Sequence, residues 1–139
     1  MGILPGMTES SLSLAADKKL LGQLMAIDTT SGQPSDLVLE IISEKLQAVG
    51  CEVHRLEGAS DGRGNLIAIA GPVGVEGGLT LSGHIDTVPA GEGWSTDPRT
   101  LVERDGRWYG RGSCDMTGFV AMATNLLAEA TSLQRPLGL

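Results

Sequence analysis

The spacing of the apolar residues changes along this chain, and the change constrains its fold more than any other feature. Apolar residues recur at helical spacing in residues 11–27 and again in residues 36–49, so both segments are predicted to be amphipathic helices. Gly50 follows the second segment, where a helix C-cap commonly lies. Short apolar or alternating runs then replace the helical pattern. The chain is therefore predicted to begin with two helices and to continue with a sheet.

Three runs in the middle of the chain are predicted to be strands, at residues 51–56, 65–70 and 79–82. The second run is apolar almost throughout, so it is predicted to be buried on both faces. The third run ends directly before a group of polar residues. The sheet is therefore expected to place that polar group at the carboxyl end of a strand.

The last part of the chain adds a hairpin, a helix and a further strand. Asp105-Gly106 is typical of a two-residue hairpin turn and separates residues 100–104 from residues 107–109. Residues 116–130 have a helical apolar stripe, and residues 136–139 are interpreted as the start of another strand. This order of elements predicts an α/β fold built around a mixed sheet.

The polar residues after the third predicted strand form the clearest functional pattern. His84 and Asp86 are two positions apart, so in an extended segment both side chains point to the same side. Asp115 follows a glycine-rich turn at residues 110–112 and opens the last predicted helix. Imidazole and carboxylate groups suit zinc or another first-row divalent ion, and a carboxylate often orients a metal-bound histidine. The three residues are therefore candidates for a metal site.

Plainer interpretations of the same residue types remain open at this point. A histidine that bonds a nearby carboxylate is a common structural feature, so His84 and Asp86 alone do not define a metal site. His54 is expected to be a solvated or edge-facing strand residue without an acidic partner at ligand spacing. Cys114 is interpreted as a lone buried thiol rather than a soft ligand, and Cys51 as a second free thiol.

Several linked motifs of this chain together resemble a known family. They are Gly83-His84-Ile85-Asp86-Thr87-Val88-Pro89, Gly93-Trp94 with Asp97-Pro98, Asp105-Gly106, and Tyr109-Gly110-Arg111-Gly112-Ser113-Cys114-Asp115-Met116 with Gly118-Phe119. The pattern is similar to that of the M20 dinuclear metallopeptidases and aminoacylases. This family includes acetylornithine deacetylases, succinyl-diaminopimelate desuccinylases and carboxypeptidase G2-like peptidases. Cys114 and Phe119 are most similar to the acetylornithine deacetylases.

The resemblance implies a role for each candidate residue. The fold would be the N-terminal part of a zinc-peptidase-like catalytic domain that holds two divalent ions, zinc or alternatively cobalt. His84 would bind one ion, Asp115 would bridge both, and Asp86 would be the catalytic-site aspartate that orients His84. A cis peptide after Asp115 is also implied.

The resemblance also implies a reaction. The substrate would be a small-molecule N-acyl amino acid, first of all N-acetylornithine, which is hydrolysed to ornithine and acetate in arginine biosynthesis. The complete enzyme would be a homodimer. The alternatives are a succinyl-diaminopimelate desuccinylase, another peptidase or aminoacylase of the family, or a non-catalytic remnant that needs a second chain.

Other parts that the resemblance implies are missing from these 139 residues. The chain has no Glu-Glu pair to supply the general base, and of its two histidines only His84 fits a ligand role. Residues 1–139 are therefore expected to be a truncated N-terminal part of the catalytic domain, without the dimerisation domain and inactive alone. Residues 1–9 are expected to be a disordered N-terminal extension.

Charge and hydropathy restrict the expected partners. The formal net charge of −7 disfavours nucleic acid and anionic membranes as partners. No apolar run approaches the roughly 20 residues that a membrane-spanning helix needs, and the first residues do not have the pattern of a secretory signal. A cytoplasmic protein is therefore expected.

Overall fold

The computed structural model describes residues 13–58, 62–130 and 132–139. Its elements in chain order are α1 (Leu14–Met25), α2 (Asp36–Gln47), β1 (Glu52–Glu57), β2 (Gly64–Ala70), β3 (Leu79–Thr80), β4 (Val102–Arg104), β5 (Arg107–Tyr109), α3 (Thr117–Glu129) and β6 (Leu137–Gly138). The predicted α/β class is confirmed. The N-terminal extension expected at residues 1–9, and the first two residues of the first predicted helix, lie outside the described residues.

Four of the strands form one mixed sheet in the order β1-β2-β6-β3. The β2 strand is antiparallel to both β1 and β6, whereas β6 is parallel to β3. Leu139 extends the β6 pairing, because its backbone N–H and C=O both bond Ala68 at 2.9 Å. The strand predicted at residues 136–139 is therefore confirmed, and it lies inside the sheet.

The three helices and one face of the sheet enclose a single apolar core. The hydroxyl of Ser13 accepts a hydrogen bond from the Ala16 N–H at 3.3 Å and caps the start of α1. Side chains from all three helices are almost completely buried, among them Leu21, Leu24, Ile42, Leu46 and Leu127. This core holds α3 against α1 and α2, and α3 begins directly after Asp115. None of the helices in the described residues is long and apolar enough to cross a membrane.

Two predictions about the strands were wrong in detail. The β2 strand is not buried on both faces: Ala68 is completely buried, but Ile67 is 44% exposed. The reason is that Ala68 packs into the core cluster with the helices, whereas Ile67 points to the opposite face. The third predicted strand is shorter than expected: β3 covers Leu79 and Thr80, and the Leu81 N–H adds one hydrogen bond to the Gly138 carbonyl at 2.8 Å.

The hairpin of β4 and β5 follows the prediction closely. Asp105 and Gly106 both have positive φ angles, of 53° and 69°, as a type I′ turn requires. The β4 strand begins at Val102 rather than at residue 100. An ion pair between Lys18 and Glu103 connects this hairpin to α1.

Candidate metal centre

His84 lies in the irregular segment that follows β3, and the loop after α1 fixes the end of that segment. Thr30 and Thr87 form an isolated parallel bridge. The Thr87 N–H donates to the Thr29 carbonyl at 2.9 Å, and the Ser31 N–H donates to the Thr87 carbonyl at 2.8 Å. The backbone next to the candidate residues is therefore held from a distant part of the chain.

The glycine-rich turn before α3 brings Asp115 to the same place. Gly112 has a φ of +86°, and its carbonyl accepts a hydrogen bond from the Gly118 N–H at 3.1 Å. A Cβ at Gly118 would overlap the Ser113 carbonyl oxygen, so this close approach requires glycine. The Asp115–Met116 peptide is cis, as the resemblance implied.

The structure brings the three predicted residues together around the His84 ring. Nδ1 of His84 lies 2.9 Å from the backbone carbonyl oxygen of Asp86 and 3.3 Å from its Oδ1. Nε2 lies 3.1 Å from Oδ1 of Asp115, a residue 31 positions further along the chain. The side chain of Asp115 is 87% exposed. The two ring nitrogens therefore face two different aspartates, and one of these is open to further contacts.

The contacts of Nδ1 decide what Nε2 can do. A carbonyl oxygen only accepts hydrogen bonds, so Nδ1 of His84 carries a hydrogen and donates it to Asp86. In the neutral ring Nε2 is then an acceptor that faces the Asp115 carboxylate. Two such acceptors lie favourably together when a positive charge joins them, either a proton on Nε2 or a metal cation. The geometry is suited to a cation.

The pKa of His84 is raised above its ordinary value, which agrees with this argument. The largest cause is the hydrogen bond to the backbone carbonyl of Asp86, followed by the hydrogen bond to Asp115. The negative charges of both aspartates add to the effect, and partial desolvation opposes it. A proton and a divalent cation would therefore compete for the same ring nitrogen.

The donor atoms present fit part of a zinc site. Two ligands at about 2.0–2.1 Å from a tetrahedral zinc ion lie roughly 3.3 Å apart, and Nε2 of His84 lies 3.1 Å from Oδ1 of Asp115. Zinc sites, however, use three or four protein ligands. In the part of the chain that the structure describes, no group of three or more His, Cys, Asp and Glu residues is arranged to hold a metal ion. Asp86 does not add a ligand, because it contacts the other ring nitrogen.

Two expectations about neighbouring residues were wrong. Cys114 is exposed rather than buried, because it lies in the turn before α3 and not in the core. His54 lies on the edge strand β1 with 53% of its side chain exposed, as expected, but it does have an acidic partner: its Nε2 lies 2.6 Å from Oε1 of Glu52. Cys51 and Cys114 are both free thiols, as predicted.

One contact of the site was not predicted. The hydroxyl of Ser31 donates a hydrogen bond to Oδ2 of Asp86 at 2.8 Å, across 55 positions of sequence. Ser31 stands in a polar turn after the first helix, and no local spacing relates it to Asp86. Only the folded backbone reveals this pair.

Comparison with known proteins agrees with the resemblance. Residues 80–138 match peptidase family M20/M25/M40. The chain is 38% identical over 129 residues to an acetylornithine deacetylase of Myxococcus xanthus, covering 90% of this chain and 34% of that protein. It is 40% identical over 119 residues to an acetylornithine deacetylase of Pasteurella multocida (strain Pm70), covering 82% of this chain and 30% of that protein. The chain thus spans about a third of the length of the curated relatives it matches.

Solved structures show the same fold. Human carnosine dipeptidase 1 superimposes with a TM-score of 0.75 at 25% identity, over 89% of this chain and 31% of that chain. The dipeptidase Dug1p from Saccharomyces cerevisiae gives a TM-score of 0.68 at 20% identity, over 92% of this chain and 34% of that chain. The fold is therefore the mixed α/β fold found in these dipeptidases. Residues 80–138, which are similar to peptidase family M20/M25/M40, include His84 and Asp115.

Proposed function

We propose that this chain supplies the N-terminal part of the catalytic domain of a metal-dependent amide hydrolase. The observation that carries the proposal is the meeting of Nε2 of His84 and Oδ1 of Asp115 at 3.1 Å. The family match over residues 80–138 and the relatives named acetylornithine deacetylase support it.

In this proposal each of the three residues has a defined task. His84 and Asp115 would hold a divalent ion, zinc or cobalt, and Asp115 would also contribute to a second ion. Asp86 accepts the Nδ1 hydrogen of His84, which keeps Nε2 directed at the ion and makes it more basic. A divalent ion bound there would polarise an amide carbonyl and acidify a water molecule.

The proposed substrate is a small N-acyl amino acid, with N-acetylornithine as the first candidate. Hydrolysis would then release acetate and ornithine, a step of arginine biosynthesis. The names of the Myxococcus and Pasteurella relatives support this choice. The structural match to carnosine dipeptidase 1 favours a dipeptide as the second candidate. We further propose that the complete enzyme is a cytoplasmic homodimer.

The 139-residue chain alone is proposed to bind metal weakly and to hydrolyse no substrate. His84 and Asp115 supply fewer ligands than a zinc site uses. The chain has no Glu-Glu pair, and its other histidine, His54, is bonded to Glu52. The remaining ligands and the general base would have to come from other residues.

A chimera tests the proposed function. The part of the Myxococcus xanthus relative that matches this chain would be replaced by this chain, and the chimera would be assayed with zinc or cobalt. We expect hydrolysis of N-acetylornithine in preference to N-succinyl-diaminopimelate and carnosine. His84→Ala should abolish this activity. His54→Ala is the matched control, because His54 is equally exposed and also paired with an acid, and it should leave the activity unchanged.

Two results would contradict the proposal. A folded chimera that hydrolyses none of the three substrates, or one that is indifferent to His84→Ala, removes the catalytic role of the site. Turnover by the 139-residue chain alone, abolished by Asp115→Ala, shows that the chain already contains a working site.

A further inference from the structure

We propose that Ser31 is a positioning residue that holds the Asp86 carboxylate against the His84 ring. The inference rests on the proposed function, in which His84 is a metal ligand. Ser31 belongs to the loop after α1, and its hydroxyl donates a hydrogen bond to the Asp86 carboxylate at 2.8 Å. A second acceptor, the Thr87 carbonyl, lies further from the same hydroxyl, at 3.4 Å.

The two oxygens of the Asp86 carboxylate have separate partners. Oδ2 accepts the hydroxyl hydrogen of Ser31 at 2.8 Å, and Oδ1 lies 3.3 Å from Nδ1 of His84. The terminal torsion of an aspartate is soft, and the Asp86 side chain is 57% exposed, so water competes for both oxygens. The serine contact fixes the torsion that leaves Oδ1 facing the imidazole.

The serine is itself held in place. Its N–H donates to the Thr87 carbonyl at 2.8 Å, next to the Thr30–Thr87 bridge. Oδ1 of Asp28 accepts the N–H of Thr30 at 3.1 Å and the Thr30 hydroxyl at 2.7 Å. Arg99 donates to the other oxygen of Asp28. The hydroxyl of Ser31 is therefore presented from a hydrogen-bonded turn.

The consequence concerns the metal-facing side of the ring. Nδ1 of His84 has two acceptors on Asp86, the backbone carbonyl at 2.9 Å and Oδ1 at 3.3 Å. The backbone carbonyl stays in place whatever the side chain does. The carboxylate adds a negative charge beside the ring, and a carboxylate partner raises the basicity of a ligating imidazole. Its position depends on the orientation that Ser31 sets. Ser31 thus acts on the ligand strength of Nε2 through Asp86.

The test measures the ring directly in the full 139-residue chain. The Nδ1 nitrogen shift of His84 would be read by NMR through the carbon-bound ring protons, with His54 as the internal reference. Asp86→Ala gives the shift for the backbone acceptor alone. We expect Ser31→Ala and Ser31→Val to move the wild-type shift most of the way to the Asp86→Ala value, and Ser31→Thr, which keeps a hydroxyl, to restore it.

Zinc affinity of the chimera provides the second measurement. Loss of a residue that supports a ligand commonly weakens metal binding about 10–100-fold. Ser31 contacts the supporting residue Asp86 and not the ligand His84, so for Ser31→Ala we expect a smaller loss of roughly 3–10-fold. In the Asp86→Ala background Ser31→Ala should have no further effect, because the two residues act through one contact. Ser82→Ala, an exposed serine in the segment of His84, is the matched control and should bind zinc like wild type.

The outcomes separate this inference from the proposed function. An unchanged His84 shift in Ser31→Val, or additive losses in the double variant, overturns the positioning role. If Ser31→Ala fails to fold, the Thr and Val variants, which differ only in the hydroxyl, decide the question. If the shifts move as expected while the wild-type chimera binds no zinc, the positioning role holds and the proposed function fails.

Discussion

The two histidines of this chain have similar contacts with their neighbours in sequence but differ in their contacts with distant residues. His84 and His54 have 48% and 53% of their side chains exposed, and each contacts an acidic residue two positions away, Asp86 and Glu52 respectively. The ring of His84 also meets Asp115 from a distant turn. The comparison teaches that a histidine and an acid at i and i+2 form a local pair. A candidate metal site appears only where a second segment brings another carboxylate.

The backbone around His84 is also held by more distant segments than the backbone around His54. His54 lies on β1, an edge strand that pairs with β2 alone in the described sheet. His84 lies between the loop after α1 and the turn before α3, which are linked to its segment by the Thr30–Thr87 bridge and by the contact with Asp115. We therefore expect substitutions in the His84 region to have larger effects than equivalent substitutions near His54.

The largest expected difference concerns two glycines, one in each region. Gly118→Ala would force a Cβ onto the Ser113 backbone oxygen, so we expect a loss of about 3 kcal/mol in the free energy of unfolding, at the upper end of typical overpacking costs. Gly50 lies shortly before β1, with a φ of +84° and open space around it. We expect Gly50→Ala to lower the free energy of unfolding by only about 1 kcal/mol. Urea unfolding measures both. Equal losses would show that the turn carrying Asp115 is not tightly packed.

The next expected difference concerns the two acidic partners. In the zinc-loaded chimera, Asp86→Ala should weaken zinc binding about 10–100-fold, because the ligating ring loses its charged acceptor. Glu52→Ala should leave zinc affinity unchanged, because His54 is not a ligand in the proposed site. Competition with a chelator measures both affinities. A comparable loss in Glu52→Ala would contradict the distinction between the two histidines.

A smaller effect is expected in the pH dependence of stability, because Asp28 lies in the loop after α1 that fixes the site. The Thr30 hydroxyl, followed by the Thr30 N–H and Arg99, lowers the pKa of Asp28 below its ordinary 3.8. The ionised carboxylate therefore stabilises the folded state fully above 3.8, and this contribution disappears as the pH falls through the lower folded value. Urea unfolding at neutral and acidic pH should show a smaller acid-side loss in Asp28→Asn than in wild type. Identical pH profiles would show that the charge of Asp28 does not stabilise the folded state.

The smallest expected difference is between the labelling rates of the two thiols, and it does not concern activity. Burial raises the pKa of Cys51, which directly precedes β1, whereas Cys114 beside Asp115 is exposed. Because the thiolate is the reactive species, an aromatic disulfide reagent should label Cys114 several-fold faster. The single variants Cys51→Ser and Cys114→Ser assign the two rates. Faster labelling of Cys51 would contradict the exposure found for the turn.

Local patterns predicted the elements well because their causes are local. The helical spacing of apolar residues and the Asp105-Gly106 turn are set by neighbours in sequence, and the described helices and the hairpin follow them. The exposure of Cys114 follows from its place in the turn before α3, and that of Ile67 from the sheet face that the helices leave open, so spacing alone predicted both wrongly. The contact between Ser31 and Asp86 crosses 55 positions, and it follows from the folded backbone only.

The meeting of His84 and Asp115 was expected from linked motifs, and the structure brings these residues together. Their role as ligands remains a prediction that one measurement tests most directly. Cobalt would be added stepwise to the isotope-labelled 139-residue chain while NMR follows both histidine rings and the aspartate carboxyl carbons. We expect the His84 ring and the Asp115 carboxyl signals to change first and together, while the His54 ring does not respond. Cobalt binding at His54 and Glu52, or a His84 response without Asp115, would contradict it.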